Sequence, residues 1–105
     1  MQIVRMYTGA DGVCRMEDVS SQELRLPATE LVLRKTNLNV NSKWHPAGRR
    51  QVQFLLKGRL RVEMEDGTTR EFSPGDVIIE DDLQGKGHRA FLIGTQPAAT
   101  SVVYL

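Results

Sequence analysis

Turn-forming residues interrupt this chain at short intervals, and that limits its fold more than any other property. Gly9-Ala10-Asp11-Gly12, Pro27, Asn37 to Ser42, Gly58, Glu65-Asp66-Gly67, Pro74-Gly75-Asp76, Gly85-Lys86-Gly87 and Gly94 to Pro97 divide it into short pieces. The pieces between are rich in Val, Ile, Leu and Phe, which suit a pleated, half-buried strand. None carries an apolar stripe at the helical period. The spacing predicts an all-β sandwich or barrel. The strand signal is weakest between Cys14 and Leu26, where Ser20-Ser21-Gln22-Glu23 has the form of the start of one helical turn.

Alternation is clearest in the middle of the chain. Leu60, Val62 and Met64 are apolar, while Arg59, Arg61, Glu63 and Glu65 are charged. This predicts a strand with one buried and one wet face. Asp66-Gly67, a preferred hairpin dipeptide, follows at once. Thr68 to Phe72 then forms the returning strand, and Val77-Ile78-Ile79 a short buried one. The stretch before Gly58 differs. Val52, Phe54 and Leu56 share one face, and Gln51, Gln53 and Leu55 the other. Either the strand is buried on both sides with satisfied amides, or the glutamine face lines a polar cavity.

The chain has 105 residues, enough for one domain and too few for two ordinary cores. Fourteen Lys and Arg against thirteen Asp and Glu leave a net charge of +1. That balance gives no electrostatic reason to expect nucleic acid or an anionic membrane as partner. No apolar run has the length of a membrane span, and the N-terminus lacks a signal-peptide core. The expected location is the cytoplasm. The single cysteine, Cys14, excludes an intramolecular disulfide and a multi-thiolate zinc site. It is expected as a small buried apolar residue, with Met6, Met16 and Met64 in the core. Imidazole chemistry must use His45, His88 or both, since the chain has no other histidine.

Both histidines fall in a recognisable pattern. His45-Pro46-Ala47-Gly48-Arg49-Arg50-Gln51, followed after six residues by Gly58, resembles the first motif of the cupin superfamily. Gly75-Asp76 and the later Gly85-Lys86-Gly87-His88 resemble the second, which opens with Gly and closes on His. The likeness runs from Val32 to Ile93. Tyr7 to Gly12 and Arg49-Arg50-Gln51 are also similar to small stand-alone cupins. The resemblance implies a single-domain jelly-roll β-barrel over residues 1–105. Its core would span residues 32–93, with N-terminal strands in residues 1–31 packed on the barrel or on a dimer partner.

Metal-binding cupins draw two His and one Glu from the first motif and one His from the second. Here His45 and His88 match, Ala47 stands at the second His and Gln51 at the Glu. The interval from Gly75 to His88 is two residues longer than usual, and Leu92 replaces the usual terminal Asn. The resemblance thus implies a degenerate His45/Gln51/His88 site for a divalent transition metal (iron, manganese, nickel or zinc). Loss of the carboxylate weakens such a site, because an amide oxygen is a poorer ligand. The competing reading is a metal-free pocket in which the histidines bind an organic ligand.

The expected ligand-binding residues are His45, Arg50, Gln51, Gln53 and His88, with Ala90 and Leu92 beside His88. Arg50 has two readings, a surface ion pair with Glu80, Asp81 or Asp82, or a fork for a ligand's carboxylate or phosphate. Glu80-Asp81-Asp82 is expected as a solvated acidic loop, unless one member faces the cavity as an acid–base group. Trp44 is expected to pack under the N-terminal strands, the alternative being a stacking wall at the pocket mouth. Uncovered apolar surface at Val52, Phe54 and Leu56 predicts a homodimer. The functional expectation is a small-molecule-binding cupin, either an enzyme using the degenerate site or a non-catalytic, metal-free binding or sensor protein.

Overall fold

The structure is a computed structural model that describes residues 1–34 and 40–105. Among the described residues it holds nine strands and no helix. These are β1 (Ile3–Thr8), β2 (Cys14–Asp18), β3 (Glu30–Val32), β4 (Gln51–Lys57), β5 (Leu60–Met64), β6 (Thr69–Phe72), β7 (Val77–Asp81), β8 (His88–Leu92) and β9 (Ala99–Tyr104). The helical turn expected at Ser20 does not form. Ser20 to Glu23 is exposed, irregular chain, with no apolar face to hold a helix against the core. The turn expected at Asn37 to Ser42 lies partly outside the described residues.

Six strands make one sheet in the order β2-β1-β7-β4-β9-β3, and three make a second in the order β6-β5-β8. Their ladders do not close on one another, so the architecture shown is all-β with two sheets. The N-terminal strands do not merely cover this framework. Within the larger sheet β1 runs parallel to β7, with Val4 opposite Ile78 and Met6 opposite Glu80. The β1–β2 hairpin pairs Met6 with Met16 and turns at Gly12, whose φ of 84° suits glycine.

Side-chain alternation sorts the residues between two faces. On β7, Ile78 and Glu80 point toward the smaller sheet, and Val77, Ile79 and Asp81 point away. On β4, Gln51, Gln53 and Leu55 point inward and Val52 and Phe54 outward. The main core lies between the sheets, with Val4, Met6, Cys14, Leu55, Met64 and Phe72 almost wholly buried. Val52, Val77 and Ile79 form a second cluster on the outer face, under Val19 and Leu26. A register shift between Leu55 and Lys57 leaves Leu56 56% exposed, and Phe54 is 38% exposed.

One irregular segment ties the sheets together. His45 pairs with His88 of the smaller sheet, and the Ala47 amide donates to the Asp82 carbonyl at 2.9 Å, at the end of β7 in the larger one. Residues 45–47 therefore cross the open end between the sheets, which is where the cavity lies.

Candidate functional site

Two backbone hydrogen bonds set the position of the histidines. The His45 amide donates to the His88 carbonyl, and the His88 amide to the His45 carbonyl, each at 3.0 Å. Residues paired this way present their side chains on one face. The two rings accordingly lie with centroids 4.5 Å apart, tilted by 57°. Gly87 makes this approach possible. Its φ is 80°, and a Cβ on it would overlap the His45 carbonyl oxygen.

The rings open on a cavity of about 210 Å³ between the sheets. Gln51, Gln53 and Glu80 complete its polar wall, and Met6, Val62 and Ile78 are among its apolar residues. Gln51 lies opposite Glu80 in the β4–β7 ladder, while the Gln53 amide nitrogen donates to Glu80 Oε2 at 3.0 Å. Inside the wall, His88 Nδ1 is 2.5 Å from Oδ2 of the fully buried Asp82, and His88 Nε2 is 3.5 Å from Glu80 Oε1. Asp82, His88 and Glu80 thus form a carboxylate–imidazole–carboxyl chain, of which His88 and Glu80 face the cavity. His45 Nδ1 donates to the Lys43 carbonyl at 2.9 Å, which leaves Nε2 as the ring atom free to meet a ligand.

Burial and charge act in opposite directions along this chain. Burial is the largest influence on Glu80 and pushes its carboxyl above the ordinary carboxylate range; attraction to His88 and the Gln53 hydrogen bond only partly oppose it. Burial also disfavours a charged His88. The Asp82 hydrogen bond and the charges of Asp82 and Glu80 outweigh it, and the imidazole is raised above its ordinary value. A raised acid beside a raised base is an arrangement able to hold one proton between two groups and to give or take it at small cost.

Four of the five residues expected to bind ligand come together here: His45, Gln51, Gln53 and His88. Arg50 does not. It leaves the wall for the outer face, where its Nε donates to Asp81 Oδ1 at 2.6 Å, because Arg50 and Gln51 are neighbours of opposite parity. Ala90 lines the cavity as expected, but Leu92 is 42% exposed beyond it. The solvated acidic loop is also corrected. Glu80 and Asp81 belong to β7, and Glu80 and Asp82 are buried. Trp44 does not pack under the N-terminal strands. Lys86 and Arg89 stand over its ring, their cationic groups 4.9 and 4.7 Å from the centroid. Cys14 is buried as expected and donates to the Gln84 carbonyl at 3.0 Å, away from the cavity wall.

Several donors on the wall already have partners. Gln51 turns its amide nitrogen to the Arg49 carbonyl, and both His88 nitrogens face carboxylates. Among the described residues no three His, Cys, Asp or Glu side chains are placed to hold an ion.

No protein-family model matches the chain, and neither a curated protein nor a solved structure matches it. No described helix is long and apolar enough to cross a membrane.

Proposed function

We propose that this chain is a small-molecule-binding protein of the cupin type, a jelly-roll domain whose cavity performs proton transfer through its own side chains. The observation that carries the reading is the buried Asp82–His88–Glu80 chain, with the His45 ring beside His88 on the same cavity wall. Asp82 fixes the His88 tautomer and supports its charged form. Glu80 or His88 Nε2 is then the group that takes a proton from a bound molecule or returns one. This is the chemistry of an isomerase or a lyase acting beside a carbonyl. The motif positions of His45 and His88 support the cupin assignment, as does the open end between two sheets.

Screening small hydroxy and carbonyl compounds by thermal unfolding tests the binding step, since a ligand selective for the native state raises the midpoint. Solvent deuterium should then enter the ligand's carbon next to its carbonyl, and should do so far more slowly with His88→Gln or Glu80→Gln. If no compound raises the midpoint, the proposal fails. Binding without deuterium entry would favour the second reading, a non-catalytic binding or sensor protein. That reading draws support from the hydrogen bond by which Gln53 already satisfies one Glu80 oxygen.

A homodimer belongs to the same proposal. Phe54 and Leu56 remain exposed on the outer face of β4, as Leu31 and Leu33 do at the β3 edge of the same sheet. A monomer mass by sedimentation at micromolar concentration would reject it.

A further inference from the structure

The cavity wall also restricts the charge its occupant can carry. The polar side chains lining it are His45, Gln51, Gln53, Glu80, His88 and Asn41, and no Arg or Lys of the described residues joins them. Cations on the lining strands are turned away. Arg89 follows His88 on β8, yet its Nε donates to Glu63 at 2.7 Å and its guanidinium covers Trp44. Arg50, next to Gln51, is held by Asp81 on the opposite face of the sheet.

An anionic ligand would bring its charge into a confined site that already contains the Glu80 carboxyl, where the one imidazole supported in its charged form is flanked by Asp82 and Glu80 and no Arg or Lys of the described residues is present to receive it. An amine would have to take Glu80 from His88 Nε2 and the Gln53 amide nitrogen, which already face its two oxygens, and would lie against the imidazole that Asp82 supports in its charged form. Neither penalty falls on a neutral molecule. Amide and imidazole groups offer both donors and acceptors, which is what hydroxyl and carbonyl groups require. A volume of about 210 Å³ lies below the usual range for drug-sized ligands, roughly 300–1,000 Å³.

We infer that the ligand of this cavity is a small uncharged polyol or hydroxyketone rather than an acid, a phosphate ester or an amine. The inference rests on the proposed role of the cavity as a ligand site and adds its chemical class.

The test is a nuclear magnetic resonance titration of the whole chain with four probes of similar size: dihydroxyacetone, glycolate, ethanolamine and inorganic phosphate. Dihydroxyacetone is expected to shift the side-chain amides of Gln51 and Gln53 and the His45 ring, and to bind at least about tenfold more tightly than any charged probe. Glu80→Gln removes the carboxyl and should bring glycolate closer to dihydroxyacetone in affinity. If glycolate or phosphate binds wild-type protein as tightly as dihydroxyacetone, the class is wrong while the cavity remains a ligand site. If no probe moves a cavity resonance at saturating concentration, the inference fails together with the reading beneath it. Unaltered selectivity in a folded Glu80→Gln would overturn the role given to the carboxyl.

Discussion

His88 Nδ1 meets the Asp82 carboxylate at 2.5 Å in a place where Asp82 has no solvent exposure. A carboxylate so placed accepts a hydrogen bond from the ring's Nδ1–H and directs Nε2 toward Glu80 and the cavity. The pair also explains how a buried imidazole keeps its charge. Burial works against the imidazolium, and Asp82 is the stronger of the two partners that work for it.

Asp82→Asn should therefore lower the His88 pKa, since the desolvation it opposes remains. It should also cost about 3 kcal/mol of stability, because one member of a buried, hydrogen-bonded pair is removed. Imidazole titration by nuclear magnetic resonance and urea unfolding measure the two effects. An unchanged His88 titration would show that Asp82 does not govern the ring.

The same groups set how stability varies with pH. Glu80 is raised above its ordinary 4.5 and His88 above its ordinary 6.5. Between the ordinary and the raised value of each, the folded chain keeps a proton that the unfolded chain has released. Stability then falls as pH rises. Asp66, Asp76 and Asp81 are lowered from 3.8, so their contribution is present above that value and is lost as pH falls. Urea midpoints should thus peak near pH 4.5 and decline as pH rises, first through Glu80 and from pH 6.5 through His88, until His88 has lost its proton in the folded state. Glu80→Gln should flatten the part of the decline that begins near pH 4.5. A midpoint that climbs through neutral pH in wild-type protein would contradict the assignment.

Gly87 is where the backbone allows the site to form. Gly87→Ala places a methyl group against the His45 carbonyl and keeps a left-handed φ that alanine resists. A loss of roughly 3 kcal/mol is expected, with faster hydrogen exchange at the His88 amide. Gly67→Ala is the matched control. Its φ is 91°, but nothing lies within 4 Å of the added carbon, so about 1 kcal/mol is expected. Equal losses at the two positions would mean that the close approach at His45 is unimportant.

His45, Gln51, Gln53 and His88 are legible in the sequence, because strand alternation and two spaced motifs place them on inward-facing positions. Glu80 and Asp82 are harder to find. Three acids in succession look solvated, yet the apolar run from Val77 continues into them, and that parity puts Ile78 and Glu80 on one face. The parity itself is a property of the sequence. The opposition of Gln51 and Glu80 across two strands, and the Asp82–His88 contact, depend on long-range register that no local pattern encodes. The place of Trp44 is hidden for a related reason. Its parity opposite to His45 can be read locally, but the Lys86 and Arg89 that cover it come from a distant turn and strand. An all-β chain follows from turn spacing alone. The parallel pairing of β1 with β7 does not, since it joins segments more than seventy residues apart.

Arg50 separates local pattern from folded geometry most directly. By sequence it stands beside Gln51 and is a candidate fork for a ligand's anionic group. In the fold it is half exposed on the outer face and shares Asp81 with Arg5, whose Nε lies 2.8 Å from the other carboxylate oxygen. Asp81 keeps that second partner when Arg50 is removed. Arg50→Ala should therefore cost no more than about 1 kcal/mol, in line with other exposed ion pairs. It should also leave the affinity of any cavity ligand unchanged, whereas Gln53→Ala on the inner face of the adjoining β4 should weaken it. Calorimetric titration of both variants with the best compound from the screen decides the matter. A loss of binding in Arg50→Ala that matched the loss in Gln53→Ala would return Arg50 to the site and require the ligand to reach around the start of β4.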